Sequence, residues 1–412
     1  MKTEHYDLIV IGAGAAGIMA SITATSEGKK VLLLEKLSKI AAKLKATGGG
    51  KCNLTNTLSN EDFISHFGRE GRFMRDALYK FDHKELVNFM QKIGVDTHAP
   101  DGFRIFPTSH SSSTIISKLQ KEMQRLKIKI IHNQRVEKLL FTDSSIDGVQ
   151  TQDSLYTAKN VIIATGGLGY PALGAEGDGY SLAQELGHKV TELSPAMMPL
   201  KTEENWAQCR ADTVSKVELR VALPKYKKLY ARGDLIFTKS GIRGPVVLDF
   251  AREITPLLNK YKEVPITANL TKGMNENDIL QYFKQARVKN SQASIEENLL
   301  PILASCVIHK LCQSLDIKSS AIFHTLEGKS RDALIKILAS TPFTITGHDG
   351  FKMAMITRGG IFLKQIDPKT MQSKLIKGLY FCGEVMDIDG PCGGYNLQWS
   401  FSSGYLAGHL YN

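Results

Sequence analysis

The chain has 412 residues, more than one ordinary hydrophobic core accommodates, so two or three domains are expected. Hydrophobic residues make up 42% and charged residues 23%, as in a soluble globular protein, and no run reaches the ~20 apolar residues that a membrane span needs. The formal net charge of +11 fits nucleic acid, an anionic membrane, an acidic substrate or a bound diphosphate; the lysines and arginines are scattered, with only short clusters such as Lys225-Tyr-Lys-Lys228, so nucleic acid is not the expected partner.

The first fifty residues carry the strongest signal. Tyr6-Asp-Leu-Ile-Val-Ile-Gly-Ala-Gly-Ala-Ala-Gly17 reads as an apolar strand running into Gly12-x-Gly14-x-x-Gly17 and then a helix. A second apolar run, Val31-Leu-Leu-Leu, ends in Glu35. Strand, glycine turn, helix and strand with a terminal acid make one βαβ unit that binds an adenine dinucleotide. Gly12 permits the tight turn, Gly14 lets backbone approach a pyrophosphate, and Gly17 lets helix and strand pack closely. The helix N-terminus attracts the pyrophosphate, and Glu35 would accept hydrogen bonds from the ribose. The uncharged stretch Leu8–Ala24 imitates a signal-peptide core, but it holds three glycines and continues as a βαβ unit, not a cleavage site.

Ala41 to Asn56, with glycines at 48, 49 and 50, reads as a loop. Amphipathic helices are expected near Lys84–Ile93 and Thr114–Leu126, with Asp101–Thr108 extended between them. Three strands follow at Val136–Thr142, Gly148–Gln152 and Leu155–Ala164, turning at Asp147-Gly148; they read as a β-meander before the last strand of the nucleotide-binding half. Val161-Ile-Ile-Ala-Thr-Gly-Gly167 then leads to a helix over Asp178–Leu186. From Pro195 the pattern alternates, as in Val217-Glu-Leu-Arg-Val-Ala222 and Leu235-Ile-Phe-Thr238, which indicates a small antiparallel sheet or barrel. Residues 274–340 turn helical, as in Glu297–Ala304 and Ala333–Leu338. The expected division is a first part of the nucleotide-binding domain at 1–194, an insert at 195–342 (β-rich over 195–272, helical over 273–342), and a second part of that domain at 343–412.

The C-terminal run from Gly378 to Gly404 reads as strand, Gly383-Glu384, a glycine-rich loop and a helix opening near Tyr395-Asn396. A second helix N-terminus would grip the far end of an extended cofactor. A flavin gains from such an N-terminus because its reduced ring carries negative charge at the pyrimidine edge, so the residues favour FAD. Glu384 is placed to accept from ribityl or ribose hydroxyls, unless it is simply an exposed loop acid.

Four segments, Thr47–Asn56, Ile163–Gly167, Gly241-Ile-Arg-Gly-Pro245 and Gly383–Gly404, resemble those of the BaiN-like flavoproteins, also described as aminoacetone-oxidase-like FAD-binding enzymes. The resemblance runs in the same order along nearly the whole chain. It implies an α/β fold: a two-dinucleotide-binding, Rossmann-like FAD domain split by an insert with a small antiparallel β-barrel part and a helical part. The residues it would bring to FAD are Gly12, Gly14, Ala15, Gly17, Glu35, Lys36, Gly49, Gly50, Cys52, Asn53, Thr165, Gly166, Gly383, Glu384, Asn396 and Leu397. Ala16, Lys51, Ala164 and Gly394 complete those segments, and Val136 would meet the adenine through its backbone. The chain departs from the family at Ala41-Ala42 before Lys43, at Thr47 and Lys51 around the three glycines, and at Arg243, where the family often has Ser. The first two departures bear on flavin affinity and redox tuning, the third on substrate.

The expected activity is that of an FAD-dependent oxidoreductase acting on a small metabolite. It would either oxidise an amine with oxygen or reduce an unsaturated substrate with NAD(P)H. No second Gly-x-Gly-x-x-Gly is found, so NAD(P)H would enter only as a transient hydride donor. Two other classes stay open: a flavin-dependent RNA-modifying protein and a flavin-binding module without turnover. No residue announces itself as catalytic, and no oligomeric state is indicated. The six cysteines contain no Cys-x-x-Cys pair, so neither a metal site nor a dithiol is expected, and reduced thiols in the cytoplasm are the simplest reading. Cys52 reads as a backbone or packing contact. His66, His83, His98, His110 and His348 read as isolated. Arg232, Lys239 and Arg243 either hold an anionic substrate or are solvated; Tyr395 and Trp399 either wall the flavin or belong to the core.

Overall fold

The computed structural model describes residues 4–210 and 212–411. The chain forms two compact units, one of residues 1–195 with 355–412 and one of residues 196–354. The first is built on a sheet ordered Lys129–Ile131, Val31–Leu34, Glu4–Ile11, Leu155–Ile163, Ser145–Thr151, Val136–Thr142. Leu379–Phe381 also pairs with Leu155–Ile163, parallel to it. Val31–Leu34 is buried at every position, and Leu8, Ile9 and Val10 are fully buried. Such continuous apolar strands are what a parallel sheet covered on both faces requires.

The register of the parallel strands fixes the functional edge. Ile11 lies opposite Leu34 and Ile163, and Ile163 opposite Phe381. The next residues, Gly12, Glu35, Ala164 and Cys382, therefore share one row at the carboxyl edge of the sheet. This is where open α/β sheets bind ligands. The two helices that follow the outer pair of segments pack closely. A Cβ on Gly404 would lie 2.3 Å from the Ala16 carbonyl oxygen, and one on Gly408 would lie 2.6 Å from that of Ala20. Glycines four apart on Tyr395–Gly408 thus let it lie against the backbone of Ala15–Ser26.

Three local expectations change. The turn expected at Asp147-Gly148 lies at Asp143-Ser144, and Asp147 and Gly148 fall inside the strand Ser145–Thr151. Within the expected loop, Ala42–Ala46 is a short helix, as Ala-Lys-Leu-Lys-Ala favours. The helical run expected over Glu297–Ala304 stops at Leu299, because Pro301 has no N–H to continue the helical ladder.

The second unit is a closed barrel of Leu200–Thr202, Gly241–Arg243, Tyr230–Phe237, Thr213–Val221, Val264–Asn269 and Thr341–His348, with helices. The last strand, placed by sequence near the return to the FAD domain, closes the barrel by pairing with both Val264–Asn269 and Leu200–Thr202. Trp206 stacks on Phe237 in its core, with ring centroids 4.7 Å apart. Capping boxes start two helices, Asn275 with Asp278 and Ser294 with Glu297. Cys209 and Cys306 form a disulfide across 97 residues of sequence, so these two thiols depart from the expectation of reduced cysteines. Among the described residues no helix is long and apolar enough to cross a membrane.

Candidate cofactor site

The glycine turn divides its labour between fold and ligand. Gly12 has φ +100, and its absent Cβ would meet the Ala164 carbonyl oxygen at 2.7 Å. A Cβ on Gly17 would lie 2.0 Å from the Gly12 oxygen. Both positions are fixed by the protein itself. Gly14 is different: a Cβ there would meet nothing within 4 Å. It also caps Ala15–Ser26 with no side-chain hydrogen bond, leaving the helix N-terminus, Ala15 and Ala16 included, to a ligand. Glu35 Oε2 accepts from Ala13 N–H (2.9 Å) and Oε1 from Leu37 N–H (2.8 Å). Two backbone bonds aim its carboxylate and leave lone pairs for ribose hydroxyls.

The 47–53 segment joins the C-terminal loop. Gly49 and Gly50 have positive φ and open space where a Cβ would be. Lys51 is exposed. Oriented as its neighbours require, the Asn53 amide donates to Thr55 O (2.9 Å) and accepts from Gly394 N–H (3.0 Å). Asn56 Nδ2 donates to Gly393 O at 3.0 Å. Asn396 spends its amide on the same loop, accepting from Gly390 N–H (2.7 Å) and donating to Gly390 O (2.9 Å). Asn53 and Asn396 therefore shape the loop with their side chains; Gly394 opens Tyr395–Gly408 without a side-chain cap, and Leu397 is partly buried in its first turn. Cys52 is buried, and burial pushes its thiol up to about 11, against a hydrogen bond with Thr47. It is a packing residue, not a thiolate.

Gly383 holds φ +78 and donates its N–H to Ser403 Oγ at 2.9 Å. Glu384 is no exposed loop acid. Its Oε1 accepts from Thr357 N–H (2.9 Å) and its Oε2 pairs with Lys43 Nζ (2.6 Å). Thr357 Oγ1 in turn accepts from Leu168 N–H (2.7 Å) and Gly169 N–H (3.2 Å). Thr165 Oγ1 is buried without a protein partner, and Gly166 has open space on its Cβ side. At the adenosine end Val136 is buried, and Lys36 pairs with Glu176 (2.9 Å) and Asp178, which Arg135 also holds. Lys36 first and Arg135 second hold the Glu176 carboxyl below its ordinary range.

Lys43, Thr357 and Asp387 were not found by sequence reasoning. Asp387 lies in the loop between Glu384 and Gly394; burial above all, then Glu70 and Asp389, raise its carboxyl, with Thr191 and Arg358 opposing. Tyr395 and Trp399 are core residues, 3% and 1% exposed. Tyr395 packs against Phe63 and His66, with centroids 4.9 and 5.0 Å away. His98 and His110, isolated in sequence, meet edge-on at 4.6 Å. In the insert, Arg232 pairs with Glu218 on an exposed face, and Lys239 and Arg243 are exposed.

The residues present fit FAD. Open space at Gly14, Gly49, Gly50 and Gly166, two helix N-termini without side-chain caps and the orphaned Thr165 hydroxyl all lack a protein partner that explains them.

The model of the HI0933-like protein Rossmann domain matches residues 6–410. The chain is 31% identical over 401 residues to the 3-dehydro-bile acid Δ(4,6)-reductase of Clostridium scindens, covering 97% of each chain. It is 27% identical over 407 residues to the ribosomal RNA dihydrouridine synthase of Haemophilus influenzae, covering 98% of each. The structure of 3-ketosteroid Δ1-dehydrogenase from Sterolibacterium denitrificans aligns over 99% of both chains with a TM-score of 0.55 and 12% identity, a likeness of fold. The chain belongs to the HI0933-like family of FAD-binding Rossmann proteins, and is a flavoprotein oxidoreductase by family.

Proposed function

We propose that the protein reduces a carbon–carbon double bond conjugated to a carbonyl group, with electrons from a transiently bound NADH or NADPH. The observation that carries this reading is the pair of relatives aligned end to end. One is named as a Δ(4,6)-reductase of a 3-dehydro bile acid, the other as a synthase of dihydrouridine. An unsaturated steroid ketone and a uracil ring share an alkene polarised by a carbonyl, and each named product carries added hydrogen.

When bound and reduced, FAD would supply the hydride. The chain's residues would hold and orient it: the N-terminus of Ala15–Ser26 and Glu35 at the diphosphate and ribose, Gly49, Gly50 and the N-terminus of Tyr395–Gly408 at the ring. The second hydrogen arrives as a proton. Asp387 keeps its proton to higher pH than an ordinary carboxyl, which suits a donor to the second carbon. The buried Cys52 and Cys382 thiols are both raised by burial, so neither offers a thiolate relay.

Anaerobic photoreduction of the holoprotein tests the reading. Unsaturated ketones should reoxidise the flavin faster than saturated ones, and NADH or NADPH should bleach the oxidised band. Asp387→Asn should slow reoxidation by the alkene and leave bleaching unchanged. If simple amines bleach the band and unsaturated ketones do not reoxidise it, the protein is an amine oxidase instead.

A further inference from the structure

We infer that Cys209, Asp212 and Cys306 form a redox-gated zinc site in the insert, closed to metal as the disulfide and open as the dithiol. The site stands apart from the flavin chemistry and uses only the barrel unit. The sequence holds no Cys-x-x-Cys pair, and the fold assembles the equivalent from two distant segments. The short turn Ala207–Cys209 supplies the first half. Cys209 N–H donates to Trp206 O at 2.9 Å and Asp212 N–H to Cys209 O at 3.1 Å, so Cys209-x-x-Asp212 curls into a knuckle. Trp206 anchors that knuckle, stacked on Phe237 and with its ring centroid 5.5 Å from that of Phe343. Cys306 comes from the first turn of the helix Ser305–Ser314. The three ligand atoms all lie within 4.8 Å of one another, and no other group of three such side chains gathers in this way among the described residues.

The donor set selects the ion. Two thiolates exclude Mg2+ and Ca2+, which take oxygen ligands, and the carboxylate beside them suits borderline Zn2+ better than a soft ion such as Cu+. Zinc takes such ligands tetrahedrally, at about 2.3 Å to sulfur, so the two sulfurs would stand about 3.8 Å apart. The Cα atoms of the two cysteines are 5.5 Å apart, and rotation about the two Cα–Cβ bonds opens the sulfurs to that spacing. Ala304 caps the helix with no side-chain hydrogen bond, so the partial positive charge of its first turn favours a thiolate at Cys306. His309, one turn on from Cys306, meets Glu296 Oε2 at 2.8 Å and is engaged there, which leaves the fourth position to water. A disulfide alone has no use for a carboxylate beside it.

Opening the site takes a dithiol reductant. Cys209 is fully buried and Cys306 partly exposed, so a reductant thiolate attacks the Cys306 sulfur and expels the Cys209 thiolate. The second thiol of the reductant attacks its own sulfur in the mixed disulfide, frees Cys306 and closes as a disulfide. Two electrons and two protons pass to the cysteines, and Zn2+ displaces both protons as it binds. In the reverse direction the two thiolates give two electrons to an acceptor disulfide and the ion leaves. Ion and disulfide tie the same two segments, so the metal holds what reduction would release.

The test is a metal titration of the full-length holoprotein, reduced with a phosphine, freed of it under argon, and titrated with Co2+ as a coloured stand-in for Zn2+. The reduced protein should take up one equivalent, show a thiolate-to-cobalt charge-transfer band with the visible bands of tetrahedral cobalt, and lose both to added Zn2+. The oxidised protein should show neither. Asp212→Asn keeps the cross-link, with four thiols in the unfolded, unreduced protein, and should weaken Zn2+ at least about tenfold, the lower end for losing even a group that only supports a ligand. Cys306→Ser, its fold checked by circular dichroism, should lose the charge-transfer band of a thiolate pair and bind at least about 100-fold more weakly. Zn2+ should raise the melting temperature of the reduced wild type and leave that of the oxidised protein unchanged. The proposal is overturned if the reduced wild type gives no thiolate band, if the oxidised protein binds as the reduced one does, or if Asp212→Asn holds Zn2+ as tightly as the wild type.

Discussion

Gly14 and Gly17 belong to one motif, yet substitution by alanine should fail for opposite reasons. Gly17→Ala places a Cβ 2.0 Å from the Gly12 carbonyl oxygen, more than 1 Å inside contact distance, and that oxygen is main-chain and cannot swing aside. The turn and the helix must separate, at a cost of about 3 kcal/mol. In a unit of this size that lowers the apoprotein melting temperature by roughly 5–10 °C. Gly14 has φ −80 and ψ −174, extended backbone that alanine adopts freely, and its Cβ would meet nothing. Gly14→Ala should therefore hold or raise apoprotein stability, by about 0.4–1 kcal/mol through the unfolded chain. It should weaken FAD by about 1–3 kcal/mol, roughly 5- to 150-fold in Kd, because the methyl stands where the diphosphate approaches. Thermal melts of apoprotein and flavin-fluorescence titrations measure the two quantities separately. An unchanged Kd in Gly14→Ala would refute the placement of the diphosphate at this turn.

Other perturbations bear on the residues that sequence reading missed. Lys43→Met leaves the partly buried Glu384 carboxylate with only the Thr357 amide, and should cost about 1–2 kcal/mol. Adding Glu384→Gln should recover part of that loss in urea melts, and strict additivity would deny the coupling. His188 is buried, which lowers its pKa; its Nε2 meets Ser373 Oγ at 2.8 Å. Its share of stability is whole above pH 6.5 and is lost as pH falls towards the depressed value. His188→Gln should flatten the melting temperature between pH 7 and 5, and an unchanged slope would remove His188 as the cause. Asp387 runs the other way. Its raised carboxyl makes the fold less stable as pH climbs from 3.8 through the folded value, so Asp387→Asn should gain on the wild type between pH 4 and 7. The disulfide between Cys209 and Cys306 closes a 97-residue separation, so reducing it should cost about 4.7 kcal/mol in the chain-entropy account. Thiol titration of unfolded, unreduced protein should find four groups; six would show that the bond does not form.

The elements that frame the candidate site are legible wherever their signal is local. Gly12 to Gly17 and Glu35 declare themselves because turn, helix start and acid lie within one βαβ unit, and Gly383-Glu384 because a strand runs straight into it. The meander at Val136–Ile163 is readable from alternation, but its first turn lies at Asp143-Ser144, both at positive φ, and Asp147-Gly148 falls inside the strand Ser145–Thr151. What escaped was pairing across sequence. Lys43 finds Glu384 341 residues away, and neither end carries a pattern that names the other. Asn53 and Asn396 are expected at the flavin from sequence, and both side chains also brace the loop at 390–394, a role visible only once Gly394 lies beside Asn53. The strand Thr341–His348 looked like a return to the first domain because periodicity reports that a strand exists, not which sheet takes it.

The scattered lysines show the same limit in charge. Composition sums them to a number, and proximity along the chain groups only Lys225 to Lys228. Strand register and one helix end then set Arg220, Arg232 and Lys260 beside that loop. Surface potential belongs to the assembled face, where Glu218 and the exposed Asp234 stand beside the two arginines, so net charge without a fold does not describe it.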